Sequence, residues 1–444
     1  MMPSGVDQIL AMYPETKVIV TVDNGIMAFE GVKYAKDKGL IVVVTDHHEP
    51  GAELPVADAV VDPKRKDCDY PFDGLCGAGV AFKLMLLMYY KMGKPLETVY
   101  DTLDIVGMAT VGDVVPLIDE NRILVQKGLN MIKEEKRLVF KAFREIFQVK
   151  VINAHFTIGF QYVPAINSIG RLDGNPRKAI KMFFEDDYEV VKESVLYLKE
   201  RNEKRKEMTT EQCLEAEAMV QVKGLKHVIV AYSPIFHEGL VGLIAGRLKE
   251  EYNRPVFVFG GESGKLKGSG RGIDGFHLKE ALDVLKEKNL ILGGGGHAKA
   301  CGCSLDISML EGFEKTVNEM AEAMLTEEDF VKKIDIDYVF HPSEVSIDVI
   351  DELRTLEPFG EAFPKPMLVV DGFNVNRIFY MGSDKTHVKL CSNELDLILF
   401  RESEYFKSLG EPKRVRAIGY PDINIWNNRV TVQFLIDNKN LQPA

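Results

Sequence analysis

Three consecutive residues, Asp46-His47-His48, follow the apolar run Leu40–Thr45 and are of the right types to hold a divalent cation. Carboxylate and neutral imidazole suit manganese, iron or zinc, and the second histidine can face a substrate. Asp23 ends another run of the same texture, Lys17–Val22 (KVIVTV). Asp113 stands alone in Val111-Gly112-Asp113-Val114-Val115-Pro116, where an unpaired carboxylate would be costly to bury. Asp23, His47 and Asp113 together offer ligands for one metal and half of a two-metal site. Read by itself the tripeptide is also compatible with a structural histidine pair; the two further aspartates weigh against that reading.

A second constellation has the opposite charge. Gly293–Gly296 followed by His297 supplies backbone amides that can approach an anion, with Gly295 and Gly296 next to an imidazole. Gly268-Ser269-Gly270-Arg271 adds a hydroxyl and a guanidinium suited to phosphate. His237-Glu238-Gly239 precedes a helical pattern whose N-terminus favours anions. Asn167–Leu172, with Arg171, resembles these segments. All four are expected to be loops. A glycine-rich loop is commonly only a turn, but three in one small unit, two carrying histidine and one arginine, favour an anion site.

These residues need elements to position them. Lys17–Val22 and Leu40–Thr45 read as strands buried on both faces, with Ala28–Lys38 as the helix between them, and Val56–Asp62 reads as a third strand stopped by Pro63. Strand, helix, strand at this spacing implies a right-handed crossover and a parallel sheet, with active groups at the carboxyl ends of its strands. Gly77–Met92, Val99–Val106 and Asn121–Lys150 have helical spacing. Val190–Lys223 is a long charged helix without Gly or Pro, of the kind that bridges domains. The α/β pattern then restarts: strand His227–Tyr232, helix Val241–Tyr252, strand Pro255–Phe259, helix Leu278–Lys288, strand Cys301–Leu305. From about residue 333, short β-rich segments suggest a small barrel: Pro366–Val370, His387–Leu390, Leu395–Phe400, Arg414–Ile418 and Val430–Ile436.

A chain of 444 residues divides into two to four domains at about 150 residues each. Six cysteines without a Cys-x-x-Cys pair make neither a disulfide framework nor a zinc ribbon, so a reducing, cytoplasmic setting is expected. No apolar run reads as a bilayer span and no signal peptide is visible, so no membrane partner is expected. A net charge of −12 argues against chain-wide attraction to nucleic acid, though not against a local basic groove.

The segments VTDHHEP, LCGAGVAFKL, GDVVPL, INSIGRLD, HEGLVGLIAGRL, GSGRG, GGGGHAKACG and LEPFGEAFPKP resemble, in order and spacing, the bacterial RecJ single-strand-specific exonucleases of the DHH phosphoesterase superfamily. The resemblance runs from about Val18 to the C-terminus. It implies an α/β fold with a parallel-sheet DHH domain (1–189), a connecting helix (190–223), a second α/β DHH-associated domain (224–330) and a C-terminal OB-fold barrel (331–444). It also implies 5′-to-3′ degradation of single-stranded DNA with manganese or magnesium in DNA repair and recombination, with a helicase or single-strand-binding protein as a possible partner. Carried over by motif, Asp23 is the metal-bridging aspartate, His47 a ligand and Asp113 the remaining carboxylate. Asp46 orients the histidine, and His48 lies at the scissile phosphate. Ser269, Arg271 and His297 hold DNA phosphates, with Gly295 and Gly296, and Arg171 and His237 follow as weaker members.

One departure accompanies the match. The family's first motif, an Asp-x-Asp, lies upstream of the segment matching TVDNG, and Met1–Glu15 contains none. The expectation is an N-terminally truncated chain holding one metal better than two, with impaired cleavage. Rival readings are a DHH phosphoesterase for short oligonucleotides or cyclic dinucleotides, and a non-catalytic single-strand-binding remnant.

Overall fold

The computed structural model describes all residues except 173–175, 262–263 and 427–428. It divides into two compact units, residues 1–134, 152–158 and 334–444, and residues 135–151 and 159–333. Among the described residues, no helix is long and apolar enough to cross a membrane.

In the first unit, strands Val18–Val22, Ile41–Thr45 and Ala59–Val61 form a parallel sheet in that order, with Val18 opposite Ile41 and Val43 opposite Ala59. The crossover helix Phe29–Asp37 buries Val32 and Ala35 against Ile19, Val42 and Val44. Two expectations are corrected. The third strand is three residues long, not seven. The first is buried on one face only: Ile19 and Thr21 point inward, while Val18, Val20 and Val22 are about half exposed. It is the edge of the sheet, and only one of its faces is packed.

The helical segment that follows is more divided than its apolar spacing suggests. Gly77–Lys91 is one helix, as expected. Val99–Val106 is split between Glu97–Tyr100 and Leu103–Gly112. Asn121–Lys150 is split between Asp119–Glu134 and Leu138–Phe147, because Glu135 adopts a left-handed φ of 54° that no α-helix accommodates.

The C-terminal part is a barrel closed by one interrupted strand. Leu368–Asn374 pairs with Arg414–Trp426, and, two residues later, Arg377–Met381 pairs with His387–Cys391. Asp396–Leu399 runs parallel to part of Arg429–Pro443, and helix Ser403–Ser408 joins that strand to the next. The sequence pattern misses Arg377–Met381 and the short Tyr338–Phe340. Strand residues Val370, Phe373, Leu390, Leu397 and Phe434 share one core with Phe406 of that helix.

In the second unit, the 36-residue helix Tyr188–Lys223 begins where the Asp187 carboxylate accepts the amides of Glu189 and Val190. A five-stranded sheet follows in the order Ile229–Tyr232, Val256–Gly260, Lys265–Arg271, Ala300–Asp306, Gly293–Gly296. Its first pair is parallel and the others antiparallel. Alternate residues of Val256–Gly260 fill two cores: Val256 and Val258 pack with helix Val241–Tyr252, and Phe257 and Phe259 with helices Leu278–Glu287 and Leu310–Met324.

Here three expected loops prove to be regular structure. Gly268–Arg271 lies within a central strand and Gly293–Gly296 is an edge strand. Asn167–Leu172 belongs to helix Val163–Leu172. The glycines of the central strand have a packing reason. Gly268 sits opposite Phe259 and Gly270 opposite Phe257 in the ladder. A Cβ on Gly270 would lie 2.8 Å from the Phe257 ring and 2.6 Å from Cys301 Sγ, and one on Gly268 would collide with Phe259. Both rings meet Phe313 edge-on, with centroids 5.0 and 5.1 Å away. Glycine makes room for aromatic cover of the sheet.

Candidate metal centre and cationic cleft

All three parallel strands of the first unit end in an aspartate: Asp23, Asp46 and Asp62. Asp46 is buried at 1 % exposure and is fully engaged. Its Oδ2 accepts the Ile26 amide at 2.9 Å, and its Oδ1 accepts the amides of His47 at 2.8 Å and His48 at 3.3 Å. Oδ1 also meets His48 Nδ1 at 2.7 Å. Burial would raise the pKa of this carboxyl, but the donors from Ile26, His48 and His47 outweigh it and leave it below the usual range. Asp46 therefore locks the ring of His48 and the backbone of His47. The His47 ring lies instead beside Asp23 and Asp113, so the expected orienting of the ligand histidine by Asp46 acts on the His47 backbone and on the ring of His48.

His47 is buried, and its Nε2 lies 2.9 Å from Asp23 Oδ1 and 3.4 Å from Asp113 Oδ2. Neither oxygen is aligned to make a hydrogen bond, so this buried nitrogen has none. The Asp23 carboxylate, helped by that of Asp113, raises the His47 pKa against the effect of burial. Burial together with the nearby Asp23 charge raises the pKa of Asp113, which His47 partly offsets. Asp23 adopts a left-handed φ of 61° at the end of its strand. Its carboxylate presses on the first turn of helix Gly77–Lys91, where a Cβ on Gly77 would fall 2.6 Å from Asp23 Oδ1. Asp113 caps the C-terminus of helix Leu103–Gly112.

The donor set fits a hard divalent cation. Two carboxylate oxygens crowd an imidazole nitrogen at distances near the roughly 3 Å that separates ligands around an ion with bonds of about 2.1 Å. His48 stands beside the set: ligand atoms of Asp23, His47 and His48 lie within 4.8 Å of one another. With Nδ1 engaged by Asp46, Nε2 is its available ring atom.

Sequence reasoning missed Asp62. It is 2 % exposed, accepts the Lys64 amide at 2.9 Å and has its second oxygen buried without a partner. Burial raises its pKa, and the charge of Asp46 adds to the shift. The signal was present in the chain, since Val61-Asp62 repeats the apolar-then-aspartate ending of Val22-Asp23 and Thr45-Asp46.

In the second unit, Arg171, Ser269 and Arg271 line one cleft of about 640 Å³ with Gly239, Gly242, Gly293 and Gly294. Gly295, Gly296, His237 and His297 are not among its lining residues. Arg271 Nη1 donates to Ser269 Oγ at 2.9 Å and to the Gly270 carbonyl at 2.8 Å. Asp274, a plausible partner for Arg271 by sequence, is ion-paired with Lys299 instead. Arg171 Nη1 donates to the Gly239 carbonyl at 3.2 Å. Burial lowers the pKa of both guanidiniums, and for Arg271 the Arg171 charge adds to the effect. Gly242 leaves the cleft open: a Cβ there would stand 3.2 Å from both Arg271 Nη2 and Ser269 Oγ. His237 accepts the Gly239 amide on Nδ1 at 3.1 Å, and its own amide donates to Gln212 Oε1. His297 is exposed and continues the edge strand through a bond from its amide to the Ala300 carbonyl.

Comparison with known proteins covers the same parts. Family models match as DHH family, N-terminal domain (residues 3–110), DHHA1 domain (225–323) and RecJ OB domain (336–438). The single-stranded-DNA-specific exonuclease RecJ of Bacillus subtilis is 35% identical over 427 residues, covering 94% of this chain and 53% of that protein. The RecJ of Haemophilus influenzae is 33% identical over 454 residues, covering 96% of this chain and 78% of that protein. The crystal structure of Thermus thermophilus RecJ in complex with Mn2+ superimposes with a TM-score of 0.84 and 25% identity, over 99% of this chain and 64% of that one. The chain thus spans about half the length of the Bacillus protein and about four fifths of the Haemophilus one. With DHH, DHHA1 and RecJ OB domains in that order, and a relative one-third identical over most of both chains, the chain belongs to the RecJ family.

Proposed function

We propose that this chain acts on single-stranded DNA as a metal-dependent exonuclease, removing nucleotides from the 5′ end during repair and recombination in the cytoplasm. The observation that carries the reading is the His47 nitrogen, buried without a hydrogen bond between two carboxylates. Asp23, His47 and Asp113, with His48 beside them, would hold manganese or magnesium. When bound, such an ion lowers the pKa of a water and neutralises phosphate charge.

The chain's own groups do the rest. Asp46 fixes the His48 ring so that its free nitrogen can hydrogen-bond a phosphate oxygen. Water adds to phosphorus, the bond to the 3′ oxygen breaks, and that oxygen takes up a proton. Arg171, Ser269 and Arg271 hold backbone phosphates, which position a strand without reading its bases. His297 and His237, with Gly295 and Gly296, are proposed to act nearby as lesser contributors. The OB barrel offers a surface for a strand longer than a dinucleotide, which favours DNA over a small cyclic substrate. A helicase or single-strand-binding protein would supply the open strand.

The 444 residues bring together one such ligand set among those described. Cleavage by this chain alone is therefore expected to be weak, and strand binding is expected to persist without it. The test uses single strands labelled at either end, with Mn2+. Slow release of 5′-terminal mononucleotides that stops in His47→Ala supports the reading. Release from the 3′ end, cleavage of duplexes at equal rate, or activity that survives His47→Ala overturns it.

A further inference from the structure

The LEPFGE segment of the barrel reaches a part of the molecule that its own domain does not explain. Its loop, Leu356–Phe363, meets the chain just after Asp113 at three points. The Glu361 carbonyl accepts the Leu117 amide at 2.7 Å. Gly360 packs on the Leu117 side chain so closely that a Cβ would fall 2.9 Å from Leu117 Cδ2, and Leu117 is buried at 2 % exposure. Arg122, one turn further on, donates to three loop carbonyls: Pro358 at 2.9 Å, Leu356 at 2.7 Å and Glu357 at 3.3 Å. Its guanidinium also stacks 4.4 Å from the centre of the Phe363 ring.

The segment held in this way is short and strained. Asp113 ends its helix, and Val114 follows at a left-handed φ of 57°, which is unfavourable for a β-branched residue. Such a conformation persists only where surrounding contacts over-determine it. Pro116 is pinned from the other side, since buried Asn121 donates to the carbonyls of Pro116 at 2.8 Å and Gly74 at 2.6 Å. Three residues, Val114, Val115 and Pro116, therefore separate the carboxylate beside His47 from the anchor that the barrel loop makes at Leu117.

We propose that Arg122 and Leu117 are positioning residues for Asp113, through which the barrel loop holds the 114–117 turn and so presents that carboxylate to the metal centre. The inference rests on Asp113 being a metal ligand. It assigns the barrel a part in metal binding in addition to any contact with DNA.

The test is the affinity of the 444-residue chain for Mn2+ alone, read from the free-ion electron paramagnetic resonance signal, beside thermal melting. Arg122→Ala and Gly360→Ala are expected to weaken Mn2+ binding three- to tenfold while the chain remains folded, with Arg122→Lys recovering part of the loss. The control is Lys389→Ala, which removes a barrel ion pair with Asp396 at 2.7 Å remote from this loop, and it should leave the affinity unchanged. The idea fails if Arg122→Ala and Gly360→Ala bind Mn2+ within twofold of the parent, or if Lys389→Ala weakens it equally. If Arg122→Ala does not fold, Gly360→Ala and Arg122→Lys decide by the same criterion. A parent chain that takes up no Mn2+ at all overturns the metal reading, and this inference with it.

Discussion

The metal centre and the cationic cleft meet opposite electrostatic demands with different means. At the metal centre, three strands end in aspartate within a small volume, and the site is held by hydrogen bonds that converge on one buried carboxylate, Asp46. In the cleft, positive charge gathers around Arg171 and Arg271; the missing side chain of Gly239 lets the Arg171 backbone approach, and that of Gly242 leaves room beside Arg271 and Ser269. Neither guanidinium has a carboxylate partner among those described, whereas nearby Lys299 and Lys267 are paired with Asp274 and Glu238. A cation site needs anions fixed in place before the ion arrives. A phosphate site needs uncommitted cations and room for backbone. The difference teaches that a charge without a carboxylate partner, set beside glycine, marks the proposed anion site better than the count of basic residues, in a chain whose net charge is −12.

The sharpest way to break this contrast is at its most committed residue. Asparagine at position 46 offers one acceptor and one donor where four contacts need acceptors, so Asp46→Asn should release the His48 ring and lower Mn2+-dependent cleavage by roughly 10- to 100-fold. Circular dichroism should be nearly unchanged, and stability in melting should fall modestly, by about 1–3 kcal/mol, the cost of an unpaired buried donor. A cleavage rate equal to the parent would mean that the site does not depend on preorganisation by Asp46.

The cleft should respond less steeply. Arg271→Ala removes one of its two guanidiniums, and single-stranded DNA binding should weaken by about 1.5–3 kcal/mol, as for a charge-assisted hydrogen bond. The slope of log affinity against log salt should fall by about one counterion, equally for different base sequences. Fluorescence anisotropy at several salt concentrations measures both. Unaltered affinity and slope would place Arg271 outside the DNA path.

The smallest effect belongs to the charge that is already satisfied. Asp274→Ala removes an exposed ion pair with Lys299, and neither melting nor DNA affinity should change measurably. A marked gain in affinity would show that Lys299 belongs to the cleft and that pairing hides it.

How far these two regions could be read beforehand differs in the same way. Asp23, Asp46, His47 and His48 were legible because an apolar run ending in a polar residue is a local pattern, and parallel strands bring their ends together. Val61-Asp62 carries the same pattern at the end of a strand only three residues long, where the apolar run is too short to stand out. In the cleft, the residues were legible but their setting was not. Gly268 and Gly270 have low strand propensity, so the segment reads as a loop, yet the Phe257 and Phe259 rings cover the missing side chains from the paired strand.

By itself the sequence determined the alternation of strands and helices, the long connecting helix, the change to β-rich texture near residue 333 and the chemical types of both sites. Each is written in neighbouring residues, through apolar period, capping and turn chemistry. The tertiary structure alone decided that Asp274 goes to Lys299 and not to Arg271, that His47 stands between Asp23 and Asp113, and that a barrel loop clasps Leu117 and Arg122 some 240 residues earlier in the chain. Those outcomes depend on which surfaces pack against which, and a pairing between distant segments leaves no period in either one.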